Sequence, residues 1–343
     1  MKNLVGNSEV KKALLSLYER RRIPNAMLFA GPDGVGKKQF ALELARMFVC
    51  LSPAVHGACG DCAACKRVGV FALPTSDTKE DYKKVYFSEH PDVGMVIPFK
   101  RNLLVDAIRD LEREAHFRPY EASARIFIVD NADKMNDAAS NALLKTLEEP
   151  PATSHIILIA ARADSLLPTI RSRTQIMRFA PVAYQEIERL LLADGHFSPD
   201  DAALAARVSD GSVARALDIV PASFRTQRSA MLGVLNAAAV RDRRSLLAAA
   251  EEMNDAKNKE EFEAKLEILR GLIHDVWLLK NGGDPRDLLN FDLVAELQEL
   301  ATRLESSCLA SWLGDIETMY ENFVVNINRK VATDALFVGM AAA

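Results

Sequence analysis

Short apolar runs alternate with amphipathic stretches through the first half of the chain. Ala26–Ala30 (AMLFA), Val93–Ile97, Ala124–Val129 (ARIFIV) and His155–Ala160 (HIILIA) are each bounded by polar or turn residues. Runs of that length, apolar throughout, suit strands buried on both faces. Between them the apolar positions recur every three or four residues. Residues 8–20 read as an amphipathic helix with Ser8 as its N-cap. Leu104, Val105, Ile108 and Leu111 fall on one helical face, and Ala138–Leu147 reads as a helix stopped by Pro150-Pro151. Strand–helix alternation predicts a parallel α/β sheet. From Tyr184 onward the pattern is helical almost throughout.

Composition adds the domain count. A chain of 343 residues is two or three domains at roughly 100–200 residues each. Thirteen of the 14 prolines stand at or before Pro221, and the remainder is rich in Ala, Leu and Glu. Helix interiors exclude proline and favour those residues, which puts a boundary near residue 221. There is no internal repeat and no low-complexity tract. No run of about 18 apolar residues occurs, and the first residues lack an apolar core with a cleavage site, so a cytoplasmic protein is expected. A net charge of −4 and a pI near 6.0 argue against strong nucleic-acid binding by this chain alone.

Three motifs carry the candidate chemistry. Gly31-Pro32-Asp33-Gly34-Val35-Gly36-Lys37 matches G-x-x-x-x-G-K between a predicted strand and a predicted helix. Glycines there let backbone N–H groups converge on a phosphate, and the lysine reaches the β- and γ-phosphates. The next residue should be Ser or Thr, for magnesium. Here it is Lys38, and an ammonium has no lone pair to offer a metal. Asp130, after ARIFIV, takes the place of a magnesium-holding carboxylate, but Asn131 follows where a glutamate would activate water. Asn cannot accept that proton, so hydrolysis is expected to be lost. Whether nucleotide and magnesium bind stays open at this point.

The third motif is Cys50, Cys59, Cys62 and Cys65, four thiols within 16 residues. Such spacing can wrap one zinc tetrahedrally, in a closed and therefore structural site. An iron–sulfur cluster or a redox pair is the alternative. His56 lies in the same loop and is read as a bystander, and Cys308 as a buried small hydrophobe. Ser172-Arg173 follows the apolar run His155–Ala160, and Arg215 lies in Gly211-Ser212-Val213-Ala214-Arg215. By themselves both arginines read as surface charges. His116, His155, His196 and His274 have no partner pattern.

In order, the loop at 31–37, the four cysteines, His90-Pro91-Asp92, VDNADKM, NALLKTLEEPP (Asn141–Pro151), SR and GSVARAL resemble the bacterial clamp-loader branch of the AAA+ ATPases. The resemblance is strong over residues 1–220. It implies a nucleotide-binding-type α/β domain over 1–179 with a zinc-bearing insertion at 50–90, a helical lid over 180–221, and an all-α collar over 222–343. It implies delta and gamma/tau subunits as partners in a ring of the DNA polymerase III holoenzyme, which loads a sliding clamp on primed DNA. Lys38, Asn131 and Ala161-Arg162, where an ATP-hydrolysing subunit carries a polar Thr, together favour a subunit without ATPase activity of its own. Arg173 would be an arginine finger completing a neighbour's site, although Thr174 replaces the usual Cys after SR. Gly31, Gly34, Gly36, Lys37, Lys38, Asp130 and Arg215 would form a degenerate nucleotide site. The competing readings are an active gamma/tau-like ATPase and a stand-alone zinc-dependent DNA-binding protein.

Overall fold

The structure, a computed structural model, describes residues 4–53, 57–254, 261–323 and 328–342, without the side chains of 321–323 and 342. The described residues form two compact units. One is the chain up to Leu190 together with Gly211–Arg215; the other is Leu191–Asp210 with Ala216 onward.

The first unit is built on a six-stranded sheet. Its strands are β1 (Ala26–Ala30), β2 (Tyr86–Phe87), β3 (Val93–Val96), β4 (Arg125–Val129), β5 (Ser154–Ala160) and β6 (Gln175–Arg178), in the order β2-β3-β4-β5-β1-β6. All neighbours pair in parallel except the antiparallel β2–β3 edge. The four strands expected from apolar runs are present. The edge strands β2 and β6 were not expected; one has two residues and the other is polar at both ends. β1 and β4 are buried along their whole length, as strands covered on both faces must be. Side chains alternate between the faces. Ala26, Leu28 and Ala30 share a cluster with Ile108 and Leu111 of the helix Val105–Ala115 and Leu143 of the helix Asp137–Glu148. From the other face Phe29 meets Phe179, whose ring packs edge-on against Phe40.

The first helix, Ser8–Glu19, begins one residue earlier in its capping than the pattern suggested. Its N-cap is Asn7, in the left-handed region at φ 48°. The Asn7 amide is committed to the backbone of Ala180, donating to the carbonyl and accepting from the N–H, so it anchors the chain after β6 rather than the helix end.

His90-Pro91-Asp92 has a structural explanation. The fully buried Asp92 carboxylate accepts the backbone N–H groups of Tyr120, Glu121 and Ala122 at 2.7, 2.8 and 2.8 Å. Arg125, also buried, lies 3.9 Å from it and donates to the Glu114 carbonyl at 2.6 Å. The rings of Phe87, Tyr120 and Phe127 surround the guanidinium. His90 accepts the Asp92 N–H on Nδ1, and burial holds its imidazole below the ordinary value.

The second unit is helical, as the pattern predicted. Its longest helices are Pro221–Ala239, Phe262–Lys280 and Ser306–Phe323. Leu266, Leu269, Leu272, Ile273 and Val276 recur at helical spacing and join Trp312 and Phe337 in one core. Cys308 is half-buried against that core, less enclosed than expected. Among the described residues no helix is long and apolar enough to cross a membrane.

Removing Asp92 would orphan three N–H groups and take from the buried Arg125 guanidinium one of its two carboxylates, leaving it Glu114 at 3.3 Å. Breaking one side of a buried pair costs about 3–5 kcal/mol. Asp92→Ala is expected to destabilise the α/β unit by that order in urea unfolding; a shift near zero would contradict the account.

Candidate functional site

The phosphate-type loop leaves the C-terminal end of β1. Its last glycine, Gly36, is the N-cap of the helix Lys37–Val49 at φ 95°, and a Cβ there would meet nothing within 4 Å. Conformation, not crowding, therefore demands glycine at this position. At Gly34 (φ 77°) a side chain would also collide with the Ser212 hydroxyl, and the Gly34 carbonyl accepts the Ala214 N–H at 3.1 Å. The segment carrying Arg215 thus lies directly on the loop. A Cβ at Gly31 would collide with the Phe179 carbonyl.

Lys37 is buried, and its ammonium donates to the carbonyls of Gly31 and Pro32 at 2.5 and 2.6 Å. Asp33 stands 3.5 Å away, one helical turn earlier in sequence. Burial pushes the Lys37 ammonium below its ordinary value, while Asp33, Asp133 and Asp130 pull it back up. Glycines on a bent loop, a helix N-terminus and a buried cation fit a nucleotide polyphosphate.

Magnesium does not fit. The Lys38 ammonium is 3.0 Å from Asp130 Oδ2, so the carboxylate that would hold the metal already holds a cation. Asn131 lies in the left-handed region at φ 51° and opens a short 3₁₀ turn, Ala132–Lys134. Asparagine is among the few side chains that tolerate this conformation, which gives Asn131 a local reason for its identity. Asp133 turns back to accept the Ala161 N–H at 3.4 Å.

The four cysteines converge. Their sulfurs all lie within 4.8 Å of one another, with Cys50–Cys59 at 3.5 Å and Cys59–Cys65 at 3.9 Å. A tetrahedral ion with metal–sulfur bonds of about 2.3 Å requires sulfurs roughly 3.8 Å apart, so the group is suited to a metal. Burial would raise the Cys62 thiol, but the N–H groups of Cys65 and Leu51 and the neighbouring thiols outweigh it and bring Cys62 down to about 6. Burial holds Cys65 well above the thiol range. His56 lies outside the described residues. The knuckle is tied to its surroundings by Arg46, which donates to the Cys65 carbonyl at 3.2 Å, and by the Arg67–Glu121 ion pair at 2.5 Å.

Gly31, Gly34, Gly36, Lys37, Lys38 and Asp130 are therefore brought together. Arg173 makes its contacts elsewhere. It follows the short helix Pro168–Arg171, is exposed, pairs with Glu148 at 2.8 Å and donates to the Thr169 carbonyl at 3.1 Å. Sequence reasoning did not mark Asp33 or Glu148. The Asp33–Lys37 spacing of four residues was a usable signal; Glu148 had none, because its partner is 25 residues away in sequence and on another element.

The profile of the family described as DNA polymerase III, delta subunit, matches residues 6–183, and that of its C-terminal region matches 222–335. The chain is 31% identical over 327 residues to the DNA polymerase III subunit delta′ of Escherichia coli, covering 94% of this chain and 91% of that one. It is 34% identical over 190 residues to the gamma/tau subunit of Mycobacterium tuberculosis, covering 55% of this chain but 30% of that one. A gamma-subunit-related protein of Thermotoga maritima has a solved structure that matches at TM-score 0.46 and 18% identity, covering 96% of this chain and 98% of that one.

The geometry at Asn131 makes a direct prediction. Asn131→Glu, which restores an acidic residue after Asp130, and Asn131→Ala should each cost about 1–2 kcal/mol for placing an ordinary residue in the left-handed region, whereas Asn131→Gly should not. Urea unfolding of the three variants measures this; a stabilising Asn131→Glu would contradict it.

Proposed function

From the premise that the chain belongs to the DNA polymerase III delta-prime family, in the clamp-loader branch of the AAA+ proteins, we propose that it is a clamp-loader subunit that does not hydrolyse ATP itself. It would lend structural support and an arginine finger to a neighbouring ATPase subunit while a sliding clamp is placed on primed DNA in the cytoplasm. The observation that carries this reading is the Lys38–Asp130 ion pair at 3.0 Å. With Asn131 beside it, the site has neither a metal position nor a general base.

On this reading residues 1–179 are the nucleotide-binding-type domain, 180–221 a helical lid, and 222–343 a collar that assembles with delta and gamma/tau subunits. Arg173 is exposed and held by a surface ion pair with Glu148. Such pairs are worth about 0–1 kcal/mol, so the guanidinium is released at little cost when a neighbour's phosphate is offered. The four cysteines hold a structural zinc, which fixes the loop and takes no part in reaction. The intact G-x-x-x-x-G-K loop favours the second reading, an active gamma/tau-like ATPase.

Two outcomes are expected. Arg173→Ala should fold and assemble normally yet lower ATP hydrolysis by the reconstituted loader, since a finger contributes about 10³–10⁵ in rate at the site it serves; undiminished hydrolysis would remove the finger role. Metal analysis of the purified chain should find about one zinc per chain, reduced in Cys62→Ser, and a metal-free native protein would refute the assignment.

A further inference from the structure

The pairing of Lys38 with Asp130 has a consequence for binding as well as for hydrolysis. In a loop of this type magnesium does two jobs: it bridges phosphate oxygens and neutralises their charge, and it is held in turn by a Ser or Thr hydroxyl and an acidic residue after a neighbouring strand. Here Lys38 stands in the hydroxyl position, as the second residue of the helix Lys37–Val49. Its ammonium reaches the acidic residue directly, across 92 positions of sequence. Asp130 is mostly buried and Lys38 about half exposed, so the pair has one enclosed side and one open side.

We propose that the loop 31–37 binds a nucleoside triphosphate without a divalent cation, the Lys38 ammonium standing on Asp130 as a built-in counter-ion. An ammonium has three donors. One goes to Asp130 Oδ2, which leaves two for phosphate oxygens. Lys37 supplies a second cation, buried in the same loop, held by two neutral carbonyls that a polyphosphate can replace as acceptors and by the exposed Asp33 carboxylate at 3.5 Å. The acidic groups facing these two ammoniums are Asp33, Asp130 and Asp133. Asp130 is neutralised by Lys38, and Asp133 is engaged by the Ala161 N–H. Gly36 caps the helix at φ 95°, where the free N–H groups of a helix N-terminus favour an anion. The site is thus furnished to hold phosphate but not the metal that hydrolysis requires. A subunit so built keeps its nucleotide through the cycle as a fixed part of its wall.

The inference rests on the non-hydrolysing reading, and the test separates the two. ATP binding to the purified full-length chain is measured by equilibrium dialysis in excess EDTA and in excess magnesium, with product analysis of the bound nucleotide. The expected result is one ATP per chain at the same affinity in both conditions. Lys38→Met, similar in length but uncharged, should weaken binding in EDTA by about tenfold, the loss of one charge-assisted contact. Lys38→Thr should make binding depend on magnesium. Wild-type affinity that collapses in EDTA, or no ATP binding in either condition, overturns the proposal. So does full retention of EDTA affinity by a folded Lys38→Met. ADP formed by the wild-type chain in magnesium instead overturns the non-hydrolysing reading, and the cation dependence of binding is read independently of it.

Discussion

Parallel pairing of β1 and β4 on the two sides of β5 decides where each chemically loaded residue stands. The loop with Lys37 and Lys38 leaves the end of β1, Asp130 leaves the end of β4, and Ala161 leaves the end of β5 between them. In open parallel sheets ligand sites form beyond the carboxyl ends of the strands. The register is enforced by apolar side chains on both faces of the sheet, so the loop ends cannot slide without exposing Leu28, Phe127 or Leu158. Lys38 and Asp130 meet because the core holds the two strands in place, and not because their own attraction is strong.

Given that frame, each departure from a hydrolytic site has a local physical cause. Lys38 replaces a hydroxyl and fills the carboxylate it would have shared with a metal. Asn131 suits a left-handed turn at φ 51°. Asp133 is spent on the backbone of Ala161. The loop itself keeps its glycines, its helix N-terminus and its buried lysine. On the proposed reading, binding geometry is retained while reaction geometry is replaced.

Much of this was legible in the residues. AMLFA, ARIFIV and HIILIA announce strands because apolar runs too short for helices must be buried on both faces. The cysteine spacing announces convergence because two short C-x-x-C steps leave few alternatives. What was not legible depends on contacts between distant positions. β6 presents exposed ends in the order Gln175 to Arg178, and nothing in its polarity marks a strand; it exists because β1 offers it an edge. Asn7 rather than Ser8 caps the first helix because Ala180 claims its amide. Asp92 looked like a family signature and turned out to gather three N–H groups beside Arg125. The Arg173–Glu148 pair likewise depends on how two helices are placed. The residue type of Lys38 shows only that a metal ligand is missing; its pairing with Asp130 depends on the fold.

The central claim is that this chain has a phosphate loop without chemistry. Single-turnover hydrolysis of ATP by the purified chain alone, with saturating magnesium, tests it most directly. The account predicts no phosphate release above that of buffer. Release that disappears in Lys37→Ala would contradict it and make the chain an ATPase in its own right.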